Sequence, residues 1–105
     1  MKRALIPGLI LGVVIGLGLA LGACGPVEST SLIVQADTAL HNAKTAGADQ
    51  KSPYEYTAAE QYLHKAREEW GHSDFECSVD FATKARDLGI KARENALKKI
   101  DEDEE

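Results

Sequence analysis

Apolar residues recur at helical spacing in the middle of the chain, between two sets of helix-boundary signals. Ser52-Pro53 followed by Glu55 is a capping-box pattern with proline at the first helical position, and Gly71 ends the segment. Between these signals the apolar positions alternate at intervals of three and four residues. They are Tyr56, Ala59, Leu63, Ala66 and Trp70. A row this narrow predicts a helix that packs against one partner helix.

The following segment predicts a longer helix over residues 74–99, and Ser73 with Glu76 forms a second capping box at its start. Its apolar row is made mostly of methyl groups or less, so that a neighbouring backbone can approach closely. The row consists of Phe75, Val79, Ala82, Ala85, Gly89, Ala92 and Ala96. Because only residues 71–73 separate the two helices, we expect them to form a tight antiparallel hairpin.

A further helix is predicted over residues 31–46, with Ser29, Thr30 or Ser31 as its cap and Gly47 as its end. Its apolar positions are Leu32, Ala36, Ala39, Leu40 and Ala43. We expect this helix to lie against the hairpin. The fold class is therefore all-α, a three-helix arrangement built on an antiparallel hairpin, with the alanine-rich domain at residues 31–100.

The helices of the hairpin differ in length, which suggests a contact surface. At 1.5 Å per residue the longer helix spans about 39 Å and the shorter about 27 Å. The last turns of the longer helix are therefore expected to overhang, with Ala92, Ala96 and Ile100 exposed on one side. A domain this small also has little apolar area of its own. We expect this overhang to contact a protein partner or a second copy of the chain.

The N-terminal segment has the organisation of an export signal. Lys2 and Arg3 supply positive charge, and residues 4–20 are uncharged and rich in Leu, Ile, Val and Gly. The sequence Leu21-Gly22-Ala23-Cys24 then resembles the lipobox of bacterial lipoproteins. The resemblance implies a signal peptide over residues 1–23, cleavage before Cys24, and diacylglycerol and acyl chains on Cys24. Residues 24–30 would form the lipidated N-terminus and a short linker.

An uncleaved transmembrane helix is the competing interpretation of the same segment. Gly8, Gly12 and Gly16 have the spacing of close-packed membrane helices. However, about 17 residues is at the short limit for a span, and Pro7 and the glycines weaken a helix. By resemblance, Gly25 in place of aspartate favours the outer membrane facing the periplasm. In an organism with a single membrane the protein would lie on the outer face of the cell.

Charge excludes one class of partner. Without Lys2 and Arg3 the chain has 10 basic residues against 17 acidic ones, and five of the acids form residues 101–105. This balance lacks the basic surface of a nucleic-acid-binding protein. The acidic run is predicted to be a disordered tail.

Residues 53–96 resemble short bacterial lipoproteins that carry the alanine-rich domain of unknown function four-three-nine-eight (DUF4398). The resemblance rests on Pro53-Tyr54-Glu55-Tyr56, Ala59-Glu60, Tyr62-Leu63, Lys65-Ala66-Arg67-Glu68, Asp74-Phe75 and the alanines through Ala96. Ser78 stands where alanine would be more usual. The family implies an envelope location and no known catalytic activity. A weaker likeness joins the hairpin to a single tetratricopeptide unit, although such repeats need stacked neighbours.

The polar residues give no catalytic or metal-binding pattern. His41, His64 and His72 lack ligand spacing, and a set of His72, Asp74 and Cys77 has no paired motif to support it. We therefore predict no enzyme, no metal and no cofactor other than the lipid on Cys24. Cys77 is expected to be a packed small residue, with an intermolecular disulfide as the alternative. Its place at a helix start is expected to lower the pKa of its thiol.

Two functions are compatible with this sequence. The first is a membrane-tethered structural or adaptor lipoprotein that contacts an envelope protein through its helices. The second is a ligand-binding lipoprotein in which the tyrosines of the hairpin, Tyr54 and Tyr56 in particular, bind cell-wall glycan or a small apolar molecule.

Overall fold

A computed structural model describes residues 8–15, 17 and 24–104 of the protein. Within this part of the chain every regular element is an α-helix. They are α1 (residues 8–15), α2 (Cys24–Thr45), α3 (Ala48–Lys51), α4 (Pro53–Gly71) and α5 (Phe75–Glu104). The all-α fold predicted from the sequence is confirmed. Among the described residues, no helix is both long enough and apolar enough to span a membrane.

Helices α2, α4 and α5 pack against one another, and α4 and α5 form the expected antiparallel hairpin. Only His72, Ser73 and Asp74 separate these two helices. The buried apolar residues of the described chain are two leucines and ten alanines. One cluster contains Leu40 and Leu63, and a second joins alanines of α2, α3 and α5. Because methyl groups fill most of the core, the helices lie close together.

Helices α2 and α5 lie close together at Gly89 of α5, which faces Ala39 and Leu40 of α2. A Cβ atom built on Gly89 would lie 3.1 Å from Ala39 Cβ and 3.2 Å from the Ala39 carbonyl carbon. The packing at residue 89 therefore leaves room for the hydrogen atom of glycine but for little more. The row of small residues along α5 allows this approach, and Ala82, Ala85, Gly89, Ala92 and Ala96 are all buried.

The start of α2 differs from the prediction. Residues 25–30, expected to form a linker, are helical, and α2 begins at Cys24. Ser29 is not a cap but a fully buried residue whose hydroxyl donates to Ser78 Oγ at 2.6 Å. A Cβ on Gly25 would contact Phe75 at 3.5 Å. Contacts with α5 thus stabilise a helix over residues 25–30, where the local sequence indicated a linker before the start of the helix.

The hydrogen bonds of Ser78 explain why serine stands where alanine would be more usual. While it accepts from Ser29 of α2, its hydroxyl donates to the carbonyl oxygen of Ala66 in α4 at 2.8 Å. Both serines are fully buried. A continuous chain of hydrogen bonds therefore links all three long helices inside an otherwise apolar core.

Ser78→Ala is expected to lower the free energy of unfolding by about 1–3 kcal/mol, because the buried hydroxyl of Ser29 loses its acceptor. Denaturant unfolding followed by circular dichroism measures the change. The double variant Ser29→Ala/Ser78→Ala is the control, and it should be more stable than Ser78→Ala because no buried donor is left without a partner. Equal stability of wild type and Ser78→Ala would contradict the prediction.

The two hairpin helices begin near the predicted residues, but the capping contacts differ. Ser52 precedes α4 as expected, yet its hydroxyl donates to Glu55 Oε2 at 2.7 Å and caps no backbone N–H group. This bond is the main cause that lowers the pKa of Glu55. At α5 the capping residue is Asp74, whose Oδ1 accepts from the N–H of Cys77 at 3.2 Å. The predicted Ser73 cap is therefore wrong by one residue, since Ser73 takes a left-handed turn conformation with φ of 61°.

Other helices cover the C-terminal half of α5. The main error of the sequence prediction was therefore to expect an exposed overhang there. Helix α5 is longer than α4, as expected, but Ala92 and Ala96 are fully buried against Ala43 and Ala48. The cover comes from the end of α2 and from α3, which the sequence did not predict. The Lys99 ammonium group donates to the Lys51 carbonyl and holds α3 in place. Ile100 is partly buried.

The acidic run also differs from the expected disordered tail. Asp101 through Glu104 continue α5 and are exposed. Acids at a helix C-terminus oppose the helix dipole, which is why local reasoning places the end earlier. An already formed helix gains one hydrogen bond for each residue added, and this favours propagation.

Candidate functional site

The proposed lipidation site lies at the first residue of the packed domain. Helix α2 begins at Cys24 and reaches the core within two turns, at Ser29. The predicted peptidase-recognition residues Leu21, Gly22 and Ala23 lie outside the described residues. Lipidation at Cys24 remains a prediction. Its structural consequence is that a lipid there would join a helix directly, with no extended linker between them.

The structure separates the two tyrosines that were grouped as contact residues. Tyr54 is 79% exposed. Tyr56 is partly buried and packs against both core clusters, and burial is the main cause that raises its pKa. Tyr56 is therefore a core residue, and its expected role as a surface contact is wrong. The helical period explains the difference, because residues two apart on a helix face different directions.

A groove runs between α4 and α5 beside Tyr54. Its volume is about 700 Å³, and it is lined by Tyr54, Ala58, Gln61, Tyr62, Lys65, Phe81 and Leu88. The rings of Tyr62 and Phe81 stack with centroids 6.0 Å apart, and Lys84 Nζ lies 5.6 Å from the Tyr62 centroid. Aromatic faces with nearby cations offer stacking and hydrogen bonding to a polar ligand.

Two exposed aliphatic residues on α5 escaped the sequence analysis. Ile90 is 46% exposed and Leu97 is 39% exposed. They are seven residues apart, so both lie on the same side of the helix. The sequence signal was present, because both interrupt polar stretches outside the buried alanine row. Ile90 and Leu97, and not Ala92 and Ala96, are therefore the exposed aliphatic residues of this part of α5.

The residues considered for metal binding do not assemble as that hypothesis required. His41, His64 and His72 are all exposed. Asp74 and Cys77 do lie together, but with Glu69 in place of His72, and the three ligand atoms lie within 4.8 Å of one another. Asp74 already serves as the helix cap. This acidic cluster is better explained by the start of α5 than by a metal.

Cys77 is partly buried and, among the described residues, is a free cysteine. A hydrogen bond to Asp74 is the main cause that raises the pKa of its thiol, with burial as the next cause. The direction is opposite to the lowering expected from the helix start, because a carboxylate beside the thiol disfavours the thiolate. A raised pKa makes Cys77 less reactive at neutral pH.

The chain was compared with the sequence models of protein families. The sequence model of the family described as "Domain of unknown function (DUF4398)" matches residues 31–105. The chain belongs to the DUF4398 family. Searches of the curated proteins and of the solved structures gave no match.

The family match confirms the DUF4398 domain inferred from the hairpin motifs and extends it over most of α2, over α3 and over the end of α5. The DUF4398 match begins at Ser31, inside α2, so the first turns of that helix precede it. Both surfaces described above, the aromatic groove of the hairpin and the Ile90–Leu97 side of α5, lie within the DUF4398 domain. The likeness to a tetratricopeptide unit stays a prediction.

Proposed function

We propose that this DUF4398 protein is a lipid-anchored protein of the bacterial envelope that acts as a small structural or adaptor protein through helix contacts. The observation that carries the proposal is the sequence Leu21-Gly22-Ala23-Cys24, which ends an apolar segment and whose cysteine is the first residue of α2. Gly25 after the cysteine favours the outer membrane facing the periplasm, or the outer face of the cell in a single-membrane host. No catalytic activity, metal or cofactor beyond the lipid is proposed.

The membrane contact follows from the energetics of acyl chains. Each buried methylene contributes about 0.8 kcal/mol, so two or three chains hold the protein at the membrane, whereas one chain alone binds reversibly. Because α2 starts at Cys24, the lipid would place the three-helix domain directly against the headgroups. Partners within reach are therefore proteins at the membrane surface, and the acidic charge argues against nucleic acid.

The protein contact is assigned to the Ile90–Leu97 side of α5. Ala92 and Ala96 are buried and Tyr56 belongs to the core, so they cannot form it without unfolding. Ile90 and Leu97 are exposed, aliphatic and one heptad apart, which is the spacing at which a partner helix packs. Ile100, one turn further and partly buried, lies at the end of the same helix.

Site-specific photo-cross-linking in cells tests the adaptor function. A photoreactive residue at Ile90 or Leu97 is expected to give one discrete adduct, either with a second copy or with another envelope protein. The matched control is Lys91, which is exposed on the same helix but lies about 100° away from Ile90. Absence of an adduct at both Ile90 and Leu97, or an equal adduct at Lys91, would count against this surface.

The ligand-binding alternative is favoured by one observation, the aromatic groove of α4 and α5. Its volume of about 700 Å³ falls in the ordinary range for small-molecule sites. Calorimetry with soluble cell-wall glycan fragments tests it, since Tyr54→Ala should weaken binding there while Ile90→Ser should not. Tyr54 is well exposed, so its removal should leave the fold intact.

A further inference from the structure

The described residues contain a second exposed apolar surface, at the end of the domain that begins with Cys24. Val27 is 67% exposed, Val34 is 59% exposed and Trp70 is 45% exposed. A shallow groove of about 180 Å³ between α2 and α4 joins Val34 to Trp70, and it is lined by Thr30, Ile33, Val34, Arg67 and Trp70. Val27 lies seven residues before Val34 and therefore on the same side of α2. We call Val27, Thr30, Ile33, Val34 and Trp70 the Trp70 patch.

The polarity of this side of α2 changes along the helix. Six residues at intervals of three and four form one row, in the order Val27, Thr30, Val34, Asp37, His41 and Lys44. The first three are uncharged. The last three line the next groove between α2 and α4, together with Glu60 and Arg67. The apolar half is the half nearest Cys24.

The position of the patch relative to Cys24 identifies what covers it. Along a continuous helix, Val27 lies about 4.5 Å and Val34 about 15 Å from Cys24 in the axial direction. A lipid on Cys24 holds the start of α2 at the headgroups, and no flexible linker allows the domain to move away. A face of α2 that is apolar only near this point is therefore placed to lie on the membrane.

We propose that the Trp70 patch inserts into the lipid surface beside the Cys24 anchor, so that α2 tilts onto the bilayer and fixes the orientation of the domain. This inference rests on the proposed lipid anchor. Helices that lie at the interface bury their apolar side about 5–10 Å into the boundary of headgroups and acyl chains, and tryptophan is enriched at that depth. Arg67, which pairs with Asp37 at 3.0 Å, lies where the apolar half ends and the headgroup phosphates are expected.

Trp70 is the only tryptophan of the chain, so its fluorescence reports on the patch directly. The full lipidated protein is reconstituted into vesicles of phosphatidylethanolamine and phosphatidylglycerol, with or without bromine on the acyl chains. We expect the emission of Trp70 to lie at shorter wavelength in vesicles than in detergent-free buffer, and brominated lipid should remove most of it. Aqueous iodide should quench the emission several-fold less in vesicles than in that buffer.

Paired charge substitutions on α2 provide the matched comparison. Val27→Asp/Val34→Asp places two carboxylates on the patch and should abolish quenching by brominated lipid while the protein still sediments with the vesicles. Gln35→Asp/Asn42→Asp places the same charges at the same spacing on another side of α2, where Gln35 bonds Arg86 of α5, and should leave quenching unchanged. All four positions are exposed, and circular dichroism checks that both variants fold.

The outcomes separate this inference from the anchor. An acylated protein that sediments with vesicles while Trp70 stays accessible to iodide and unaffected by brominated lipid would overturn the insertion and leave the anchor standing. A protein without acyl groups that stays in the supernatant would overturn both. Equal loss of quenching in the two double variants would also overturn the assignment to this patch.

Discussion

Gly89→Leu is expected to lower the free energy of unfolding by about 3 kcal/mol, the largest loss of stability that we predict for a single substitution. A Cβ atom at this position would already lie 3.1 Å from Ala39 Cβ and 3.3 Å from the Leu40 backbone nitrogen. The larger side chain must push α2 away from α5 or take a strained rotamer, and overpacking of this kind typically costs 1–3 kcal/mol. For a domain of this size the melting temperature should fall by about 12–24 °C, since each kcal/mol shifts it by about 4–8 °C.

Two further glycine variants test the cause of that loss. Gly71→Ala is the control, because a Cβ at Gly71 has no atom within 4 Å, and it should keep or slightly raise the melting temperature. Gly89→Ala should lie between Gly71→Ala and Gly89→Leu, since alanine favours a helix over glycine by about 0.8–1.0 kcal/mol and so offsets part of the clash. Thermal unfolding followed by circular dichroism measures all three. A Gly89→Leu protein that melts with the wild type would refute the close approach of α2 and α5.

Cys24→Ser is expected to abolish acylation completely and to leave residues 1–23 attached. The thioether to diacylglycerol forms at a sulfur nucleophile, and a serine hydroxyl at neutral pH does not replace a thiolate. Intact-mass analysis and incorporation of labelled fatty acid measure both consequences. Cys77→Ser is the control, because it removes the other cysteine of the chain. It should keep normal cleavage, incorporation of labelled fatty acid and membrane association. A wild-type protein of unprocessed mass without label would contradict the proposed anchor.

Positions fixed by local chemistry were predicted well from the sequence. The Ser52-Pro53 boundary of α4, its end at Gly71, and the buried row from Ala82 to Gly89 each follow from a few neighbouring residues. Proline is tolerated in the first turn of a helix but disrupts its interior, so Pro53 marks a helix start. The period of 3.6 residues per turn decides which side chains share a face of the helix. The family resemblance rested on these same residues and is confirmed.

The errors lie where distant segments meet. Residues 25–30 were assigned to a linker because serine and threonine favour helix starts, but Ser29 is drawn into the core by Ser78, 49 residues later. Ala92 and Ala96 were expected at the surface because nothing local indicates that α3 and the end of α2 cover them. The pKa of Cys77 was expected to fall, and the Asp74 carboxylate reverses its direction.

The sequence by itself determined that the chain is helical, where the hairpin turns, and which side of each helix is apolar, because these depend on residues within a few turns of one another. It also contains the apolar N-terminal segment and Cys24 on which the proposed anchor depends. Only the tertiary structure decided which apolar residues remain exposed. The exposure of a residue depends on which faces of the helices meet. Small residues such as Gly89 are compatible with several close arrangements of two helices, so the arrangement is decided only when all three helices pack together.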